Sequence, residues 1–283
     1  MEEQATGRRR ISKPQLVLGV LILGIFIGAA WFFTSGGFHD WVRNRVVGII
    51  EEDTGGRTTI ERIDWNFSKL ELVFYGVTIH GREGPSEAPF AAIERLYMRA
   101  RILSVLGRKM RLAYVEADHP VLHLITYPDG STNQPAPRRR HAGSPVEALF
   151  DLQLDRAEIH NGVLLINNDA IPIDGTAEGL RAALDFAPPS DSFEGSADIE
   201  KLDARYHNLR PFAVSLHTRF TLRRAELEIH ALSLSSGRST LAATGRIANF
   251  ADPHLALSFH GTLDLLQAAA VTRTPGFRAG TVQ

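Results

Sequence analysis

The histidines are the first residues in this sequence whose spacing could support chemistry. The chain has 11 of them, and His119 and His123 lie four residues apart, a spacing that can bind a metal ion on a helix. The surrounding residues instead predict a strand, in which side chains four positions apart are separated by about 13 Å. One ion cannot bridge that separation, so we interpret the histidines as solvent-facing strand residues and predict no metal site.

Charged runs offer a second kind of chemistry. Residues 51–53 (Glu-Glu-Asp) are adjacent carboxylates, which are more typical of a solvated helix surface than of a catalytic pair. Residues 138–141 (Arg-Arg-Arg-His) could contact phosphate groups, but their surroundings favour a solvated loop. The sequence has no GxSxG, HExxH or glycine-rich phosphate motif. We therefore predict no enzyme and no cofactor, and keep an anchored hydrolase with a dispersed site as an alternative.

Composition excludes several further classes of function. The chain has no cysteine, which rules out disulfides, thiolate zinc sites and thiol nucleophiles. Its formal net charge is −1, so no overall field attracts nucleic acid, and we predict no nucleic-acid partner. A length of 283 residues allows one large or two modest domains.

The longest apolar stretch lies near the N-terminus. Residues 16–33 carry no polar side chain, and as a helix they would span roughly 27 Å, close to the apolar thickness of a bilayer. We predict a transmembrane anchor at residues 15–34, with the basic tail at 1–14 in the cytoplasm and the remainder exported. A cleaved signal peptide and a buried core helix are the alternatives. The anchor residues that we single out are Leu16, Leu23, Phe26, Trp31, Phe32 and Phe33.

An amphipathic helix is predicted at residues 35–56, after the anchor. Its apolar residues recur at steps of three and four, which places them in one stripe, and two glycines end the helix. The stripe could cap the end of a β-structure, which we favour, or lie on the membrane surface. The stripe consists of Phe38, Trp41, Val42, Val46, Ile49 and Ile50.

The rest of the chain is predicted to be strands in two segments, 57–131 and 146–283, separated by a mobile, proline-rich, basic loop at 132–145. Two strands are expected at 111–118 and 121–126. Residues 160–162 (His-Asn-Gly) favour a hairpin turn. The last residues read as the opening of another strand, so we expect the second segment to continue beyond Gln283.

The clearest pattern is alternation of apolar and polar residues, which runs through residues 212–222 and returns in residues 255–265. Such alternation gives a strand one apolar face. In residues 225–235 the apolar positions slip by one after Ile229, which predicts a β-bulge. These side chains could line an open groove or fill the core of a closed sandwich. The groove-lining candidates are Phe212, Val214, Leu216, Phe220, Leu222, Leu227, Ile229, Leu255, Leu257 and Phe259.

The order of these segments resembles the AsmA-like family, in its TamB (translocation and assembly module) branch. The resemblance covers most of the chain and lies in the anchor, the helix segment FHDWVRNRVVGIIEEDTGGRTTIERIDW and the strand LELVFYGVTIHG. It continues in ERLYMRARILSVLGRKMRLAYVEADHPVLHLITYPDGSTN and LDRAEIHNGVLLIN. The chain departs from the family by ending before the long later β-region and the C-terminal domain.

The resemblance implies a mainly β fold: a single N-terminal transmembrane helix, an amphipathic helix and a long curled antiparallel sheet that forms an open apolar groove. It also implies a single-pass bacterial inner-membrane protein, periplasmic in bulk, that conducts phospholipids between the inner and outer membranes. The alternative is a scaffold for outer-membrane protein assembly by strand augmentation. A barrel protein of the outer membrane would then be a partner, through regions that this chain lacks.

Overall fold

The protein is described by a computed structural model that covers residues 36–66, 68–101, 112–136, 145–151, 153–171, 173–206, 212–250, 252–272 and 280–282. The described chain is mainly β, as predicted. The tail (1–14) and anchor (15–34), with Leu16, Leu23, Phe26, Trp31, Phe32 and Phe33, lie outside these residues. Within them, no helix has the length and apolar character needed to cross a membrane.

The chain divides into two compact units, Met1–Val46 and Val47–Gln283, and the sheet belongs to the second. The described helices are α1 (Gly36–Thr54), α2 (Pro145–Asp151), α3 (Leu265–Thr272) and a 3₁₀ turn at Pro188–Ser190. The strands are β1 (Arg57–Asn66), β2 (Glu71–His80), β3 (Ala91–Ala100), β4 (Leu112–Thr126), β5 (Arg156–Asn168) and β6 (Ile173–Ala187). They continue as β7 (Ser192–Tyr206), β8 (Phe212–Arg223), β9 (Glu226–Ser236), β10 (Ser239–Ala248), β11 (His254–Asp264) and β12 (Thr281–Val282).

Helix α1 occupies most of the segment predicted to be an amphipathic helix. It ends where Thr54 Oγ1 donates a hydrogen bond to the carbonyl of Ile50 at 2.7 Å, and Gly55 follows with a left-handed φ of 76°. Glycine adopts that conformation without a steric penalty, so it suits the end of a helix. Ile49, a member of the predicted apolar stripe, is exposed.

The twelve strands form one sheet in sequence order, and its first and last strands do not pair with each other. Each neighbouring pair is antiparallel except β4 and β5, which are parallel. The prediction of a wholly antiparallel sheet is therefore wrong at this pair. The connection from Thr126 to Arg156 contains α2, and a connection of that length can return the chain to the end at which β4 began, whereas a tight turn cannot.

Strands β4 and β5 are each continuous where the sequence predicted interruptions. The strands expected at 111–118 and 121–126 form the single strand β4, and the hairpin expected at 160–162 is absent. His119 and Asn161 instead adopt left-handed backbone, with φ of 48° and 54°. Histidine and asparagine are enriched among residues that tolerate this conformation. Each strand therefore absorbs its irregular residue and continues in the same direction.

The first residues of the predicted loop at 132–145 lie against β4, and residues 137–144 of that loop lie outside the described residues. Asn133 is fully buried. Its side chain accepts a hydrogen bond from the backbone N–H of Ile125 at 2.9 Å and donates one to the carbonyl of His123 at 2.7 Å. Its own carbonyl accepts the N–H of Arg82 at 2.8 Å. These bonds replace ladder partners that β4 lacks at this position.

A buried cluster lies where α2 packs on the sheet near the ends of β4 to β8. The ring of Phe150 from α2 contacts that of Phe193 with a centroid distance of 4.9 Å, and Phe186 lies 5.2 Å from Phe193. Edge-to-face packing of this kind adds to the gain from burying apolar area. The buried members of the cluster are Leu112, Phe150, Leu154 and Phe193.

Candidate functional site

The register of the sheet places apolar residues opposite one another from strand to strand. Phe193 of β7 pairs with Leu222 of β8, which pairs with Leu227 of β9. Leu227 pairs with Ile247 of β10, which pairs with Leu255 of β11. Directly paired residues project from the same face of a sheet, so these five side chains form a continuous apolar row.

All ten groove-lining candidates lie on this face, which we call the apolar face. Leu216 pairs with Leu234, Phe220 pairs with Ile229, and Phe259 pairs with Ala243. The candidates on this face are Phe212, Val214, Leu216, Phe220, Leu222, Leu227, Ile229, Leu255, Leu257 and Phe259.

Strand β9 contains the bulge that the slip in its apolar pattern predicted. Phe220 pairs with Ile229, whereas Thr218, two residues earlier on β8, pairs with Leu232. β9 therefore uses one more residue than β8 between these two pairs, which defines a bulge. The bulge keeps Ile229 and Leu232 on the same face, although they are three residues apart in sequence.

The apolar face also extends over β1 to β7, which the sequence analysis did not identify as lining. Ile60 and Ile63 of β1 pair with Val77 and Phe74 of β2. The step from Ile60 to Ile63, like that from Phe74 to Val77, is three residues long and breaks the two-residue alternation of a strand. A sequence search that permits one such slip per strand would have found these apolar residues. Among the residues that the described register places on this face, none is Asp, Glu, Lys or Arg.

Exposure of the apolar face rises along the sheet. Phe74 of β2 is 2% exposed, whereas Phe259 of β11 is 74% exposed. Leu255, Leu257 and Leu263 of β11 are exposed as well. The face is thus covered by the protein at its first strands and accessible at its last ones, where large apolar residues seldom lie together without a binding role.

A cavity of about 510 Å³ opens on the accessible part of this face. Its volume falls within the usual range for sites that bind small molecules, which are mostly apolar. The apolar side chains that line it come from five consecutive strands and are Val214, Leu234, Leu241, Phe259, Leu263 and Val282.

The opposite face of the sheet carries hydrogen-bonded charged residues. The hydroxyl of Tyr114 on β4 lies 2.5 Å from Glu158 Oε2 on β5 and 2.7 Å from Glu116 Oε2. Arg95 Nη1 donates to Glu116 Oε1 at 2.6 Å, and Arg156 Nε donates to Glu158 Oε1 at 2.7 Å. This network joins β3, β4 and β5 through charged residues that lie on the face opposite the apolar face.

The network shifts the ionisation of its members. Hydrogen bonds from Tyr114 and Arg156 lower the pKa of Glu158 to about 2. Partial burial opposes the ionisation of Glu116, but the bonds from Tyr114 and Arg95 outweigh it and lower its pKa. Burial raises the pKa of Tyr114, and its bonds to both carboxylates raise it further. The two carboxylates are therefore ionised and the phenol is protonated at neutral pH.

Glu116, Glu158 and His160 bring ligand atoms within 4.8 Å of one another, which is the metal-like grouping found in the described part of the chain. No short-range sequence pattern indicated this grouping, because its residues come from two strands that are distant in sequence. Each carboxylate already accepts a hydrogen bond from an arginine, and the two share the single hydroxyl proton of Tyr114. Their arrangement is accounted for by cross-strand pairing.

Comparison with known proteins identifies no family for this chain. No protein-family model matches the chain, and no curated protein matches it. The apolar face is the feature on which a functional argument can rest.

Proposed function

We propose that this chain is a bacterial inner-membrane-anchored, periplasmic protein of the AsmA-like type, in the TamB branch. In this proposal its sheet forms an open groove that conducts phospholipids between the inner and outer membranes. The observation that carries the proposal is the apolar face from β1 to β11, on which the described register places no Asp, Glu, Lys or Arg.

The physical benefit of such a face is large for an acyl chain. Each methylene exposed to water costs about 0.8 kcal/mol, so an acyl chain of about sixteen carbons faces a barrier of roughly 12 kcal/mol in crossing water. A continuous apolar surface removes most of that barrier while the head group stays hydrated. No catalytic residue is needed, because the function requires only large apolar side chains at paired positions.

The accessibility of the last strands favours a groove over a filled sandwich. A sandwich would cover Phe259 and Leu255 with a second sheet, but the described strands all belong to one sheet. The cavity against Leu241 and Val282 lies on the same side of the sheet. An acyl chain placed there would contact apolar side chains along its length.

Irregular residues at one level of the sheet, three of them on the adjacent strands β4 to β6, support its curling. Bulges and left-handed residues bend strands and increase their twist, so a line of them bends the whole sheet along one axis. These residues occur in β2, β4, β5 and β6 and are Gly76, His119, Asn161 and Gly179.

The proposal is tested by photo-crosslinking of the full-length chain in detergent micelles with a phospholipid that carries a diazirine in its acyl chain. Crosslinks should map to peptides of β8 to β11. Phe259→Asp places an unpaired carboxylate beneath the acyl chain and should reduce labelling by about tenfold. Ser258→Asp is the matched control, because Ser258 neighbours Phe259 on the opposite face.

Circular dichroism of both variants checks that the strands remain folded. Equal labelling of Phe259→Asp, Ser258→Asp and the unchanged chain would contradict the proposal. So would crosslinks that map only to the predicted anchor.

One observation favours a scaffold for outer-membrane protein assembly as a second candidate. In the described chain, β12 pairs only with Leu263 and Asp264, so β11 presents an unpaired edge from His254 to Thr262. That edge carries no Asp, Glu, Lys or Arg before Asp264, although charges normally protect edge strands. Crosslinks from Ser258 to an unfolded barrel strand would support strand addition there, and their absence would exclude it.

A further inference from the structure

A second cavity, of about 330 Å³, lies beside α2 at the ends of β6 to β8. Its walls combine aromatic and aliphatic side chains with charged ones, a composition that suits an amphiphile. The apolar side chains of its lining are Phe150, Leu154, Phe186, Pro188 and Phe193. The charged ones are Arg101, Asp155, Asp191 and Arg224.

The charged side chains that line this cavity, two arginines and two aspartates, have no net charge. Arg101 Nη2 lies 2.6 Å from Asp155 Oδ2, a short ion pair. Arg224 is held more loosely, by two carboxylates: its Nη1 lies 3.5 Å from Oδ1 of Asp151, which is outside the lining, and its Nε lies 3.7 Å from Asp191 Oδ2. Its guanidinium carbon lies 4.8 Å above the ring of Phe150. Two guanidinium groups and two carboxylates at the mouth of an apolar cavity offer separate sites for an anion and a cation.

The position of Arg224 connects this cavity to the accessible apolar face. Arg224 lies in the turn between β8 and β9, and Leu222 and Leu227 are the cross-strand pair nearest to that turn on the apolar face. Ile247 and Leu255 continue the row toward the exposed strand β11. A head group beside Arg224 would therefore leave its acyl chain on apolar residues.

We propose that this cavity binds the zwitterionic head group of a phospholipid, in which a phosphate is joined to an amine. Arg224 and Arg101 pair with the phosphate, because guanidinium groups match phosphate oxygens in geometry and charge. Asp191 and Asp155 pair with the ammonium group. A lining with no net charge favours a head group with no net charge over an anionic one. This inference rests on the proposed function and adds the class of lipid.

The test uses three photoreactive lipids with identical acyl chains, presented to the full-length chain in detergent micelles. They carry a phosphoethanolamine head group, a phosphoglycerol head group and the bare diacylglycerol. The unchanged chain should be labelled about fivefold more by the first than by the second, the effect of roughly one additional charged hydrogen bond. Labelling is counted only on peptides of β8 to β11.

Arg224→Gln should remove that preference and leave diacylglycerol labelling unchanged. Arg246→Gln is the matched control, because Arg246 is exposed on the polar side of β10. If Arg224→Gln unfolds the chain, Asp191→Asn, which removes a carboxylate from the same cavity, tests the proposal independently. An excess of soluble phosphoethanolamine should not displace the lipid, because the acyl chain supplies most of the binding.

Equal labelling by the two charged probes, or a preference that survives both substitutions, would overturn the head-group site while leaving the lipid groove intact. Displacement by soluble phosphoethanolamine would also overturn it, in favour of a site for the free compound. A chain that no probe labels on β8 to β11, diacylglycerol included, would overturn the proposed function itself.

Discussion

The ring of Phe220 covers Gly195, its direct partner on the neighbouring strand β7. A Cβ atom added at Gly195 would lie 2.4 Å from two carbons of that ring and 2.9 Å from Leu184 Cδ2. The ring of Phe220 therefore occupies the space that a side chain at Gly195 would need. Covering a glycine with an aromatic ring from the neighbouring strand is a known way to stabilise a sheet.

This contact predicts that Gly195→Ala is destabilising. The new methyl group forces the ring of Phe220 out of its position, which should lower the free energy of unfolding by about 1–3 kcal/mol. Urea unfolding followed by circular dichroism measures the change. Adding Phe220→Leu should restore part of the loss, and a Gly195→Ala variant as stable as the unchanged chain would contradict the contact.

The gradient of exposure along the apolar face predicts opposite results for two phenylalanines. Phe74→Ala removes a buried ring and should cost about 3–5 kcal/mol of stability. Phe259→Ala should cost no more than about 0.5 kcal/mol, because its ring is already in contact with solvent. Urea unfolding measures the loss of stability in both variants. Equal losses of stability would mean that the apolar face is uniformly covered.

The network around Glu158 predicts a loss of stability in acid. Its pKa is lowered from 4.5 to about 2 in the folded chain, so the ionised carboxylate contributes stability above pH 4.5. That contribution is lost as the pH falls from 4.5 through 2. The urea midpoint should therefore decrease across this range, and Glu158→Gln should make the decrease smaller.

Glu178→Gln is the matched control for the acid experiment, because Glu178 is exposed on β6 and forms no ion pair shorter than 4 Å in the described chain. Its acid profile should follow that of the unchanged chain. An identical profile for Glu158→Gln would show that Tyr114 and Arg156 do not stabilise the folded carboxylate.

The buried side chain of Asn133 predicts a structural role for the segment after β4. Asn133→Ala leaves the N–H of Ile125 and the carbonyl of His123 without partners and should cost about 2–4 kcal/mol. Hydrogen exchange of the Ile125 amide should accelerate in the same variant. Gln134→Ala, at the exposed next residue, should change neither quantity.

Part of this structure could be predicted from short-range sequence pattern. The two-residue period of β8 and β11 predicted which side chains share a face, because neighbouring side chains of any strand alternate between its faces. The slip between Ile229 and Leu232 predicted the bulge in β9 for the same reason. The predicted strand break near His119 and the predicted hairpin at Asn161 were wrong. A single polar residue in left-handed backbone can either reverse the chain direction or lie within a continuous strand.

The sequence by itself determined that the chain is mainly β and which face of its later strands is apolar, because both follow from local periodicity. Only the tertiary structure decided that β4 and β5 run parallel, that Tyr114 meets Glu158, and that Arg101 and Arg224 line one cavity. Those contacts join residues far apart in sequence. They depend on the register and direction in which strands pair, and no local pattern of residues specifies either.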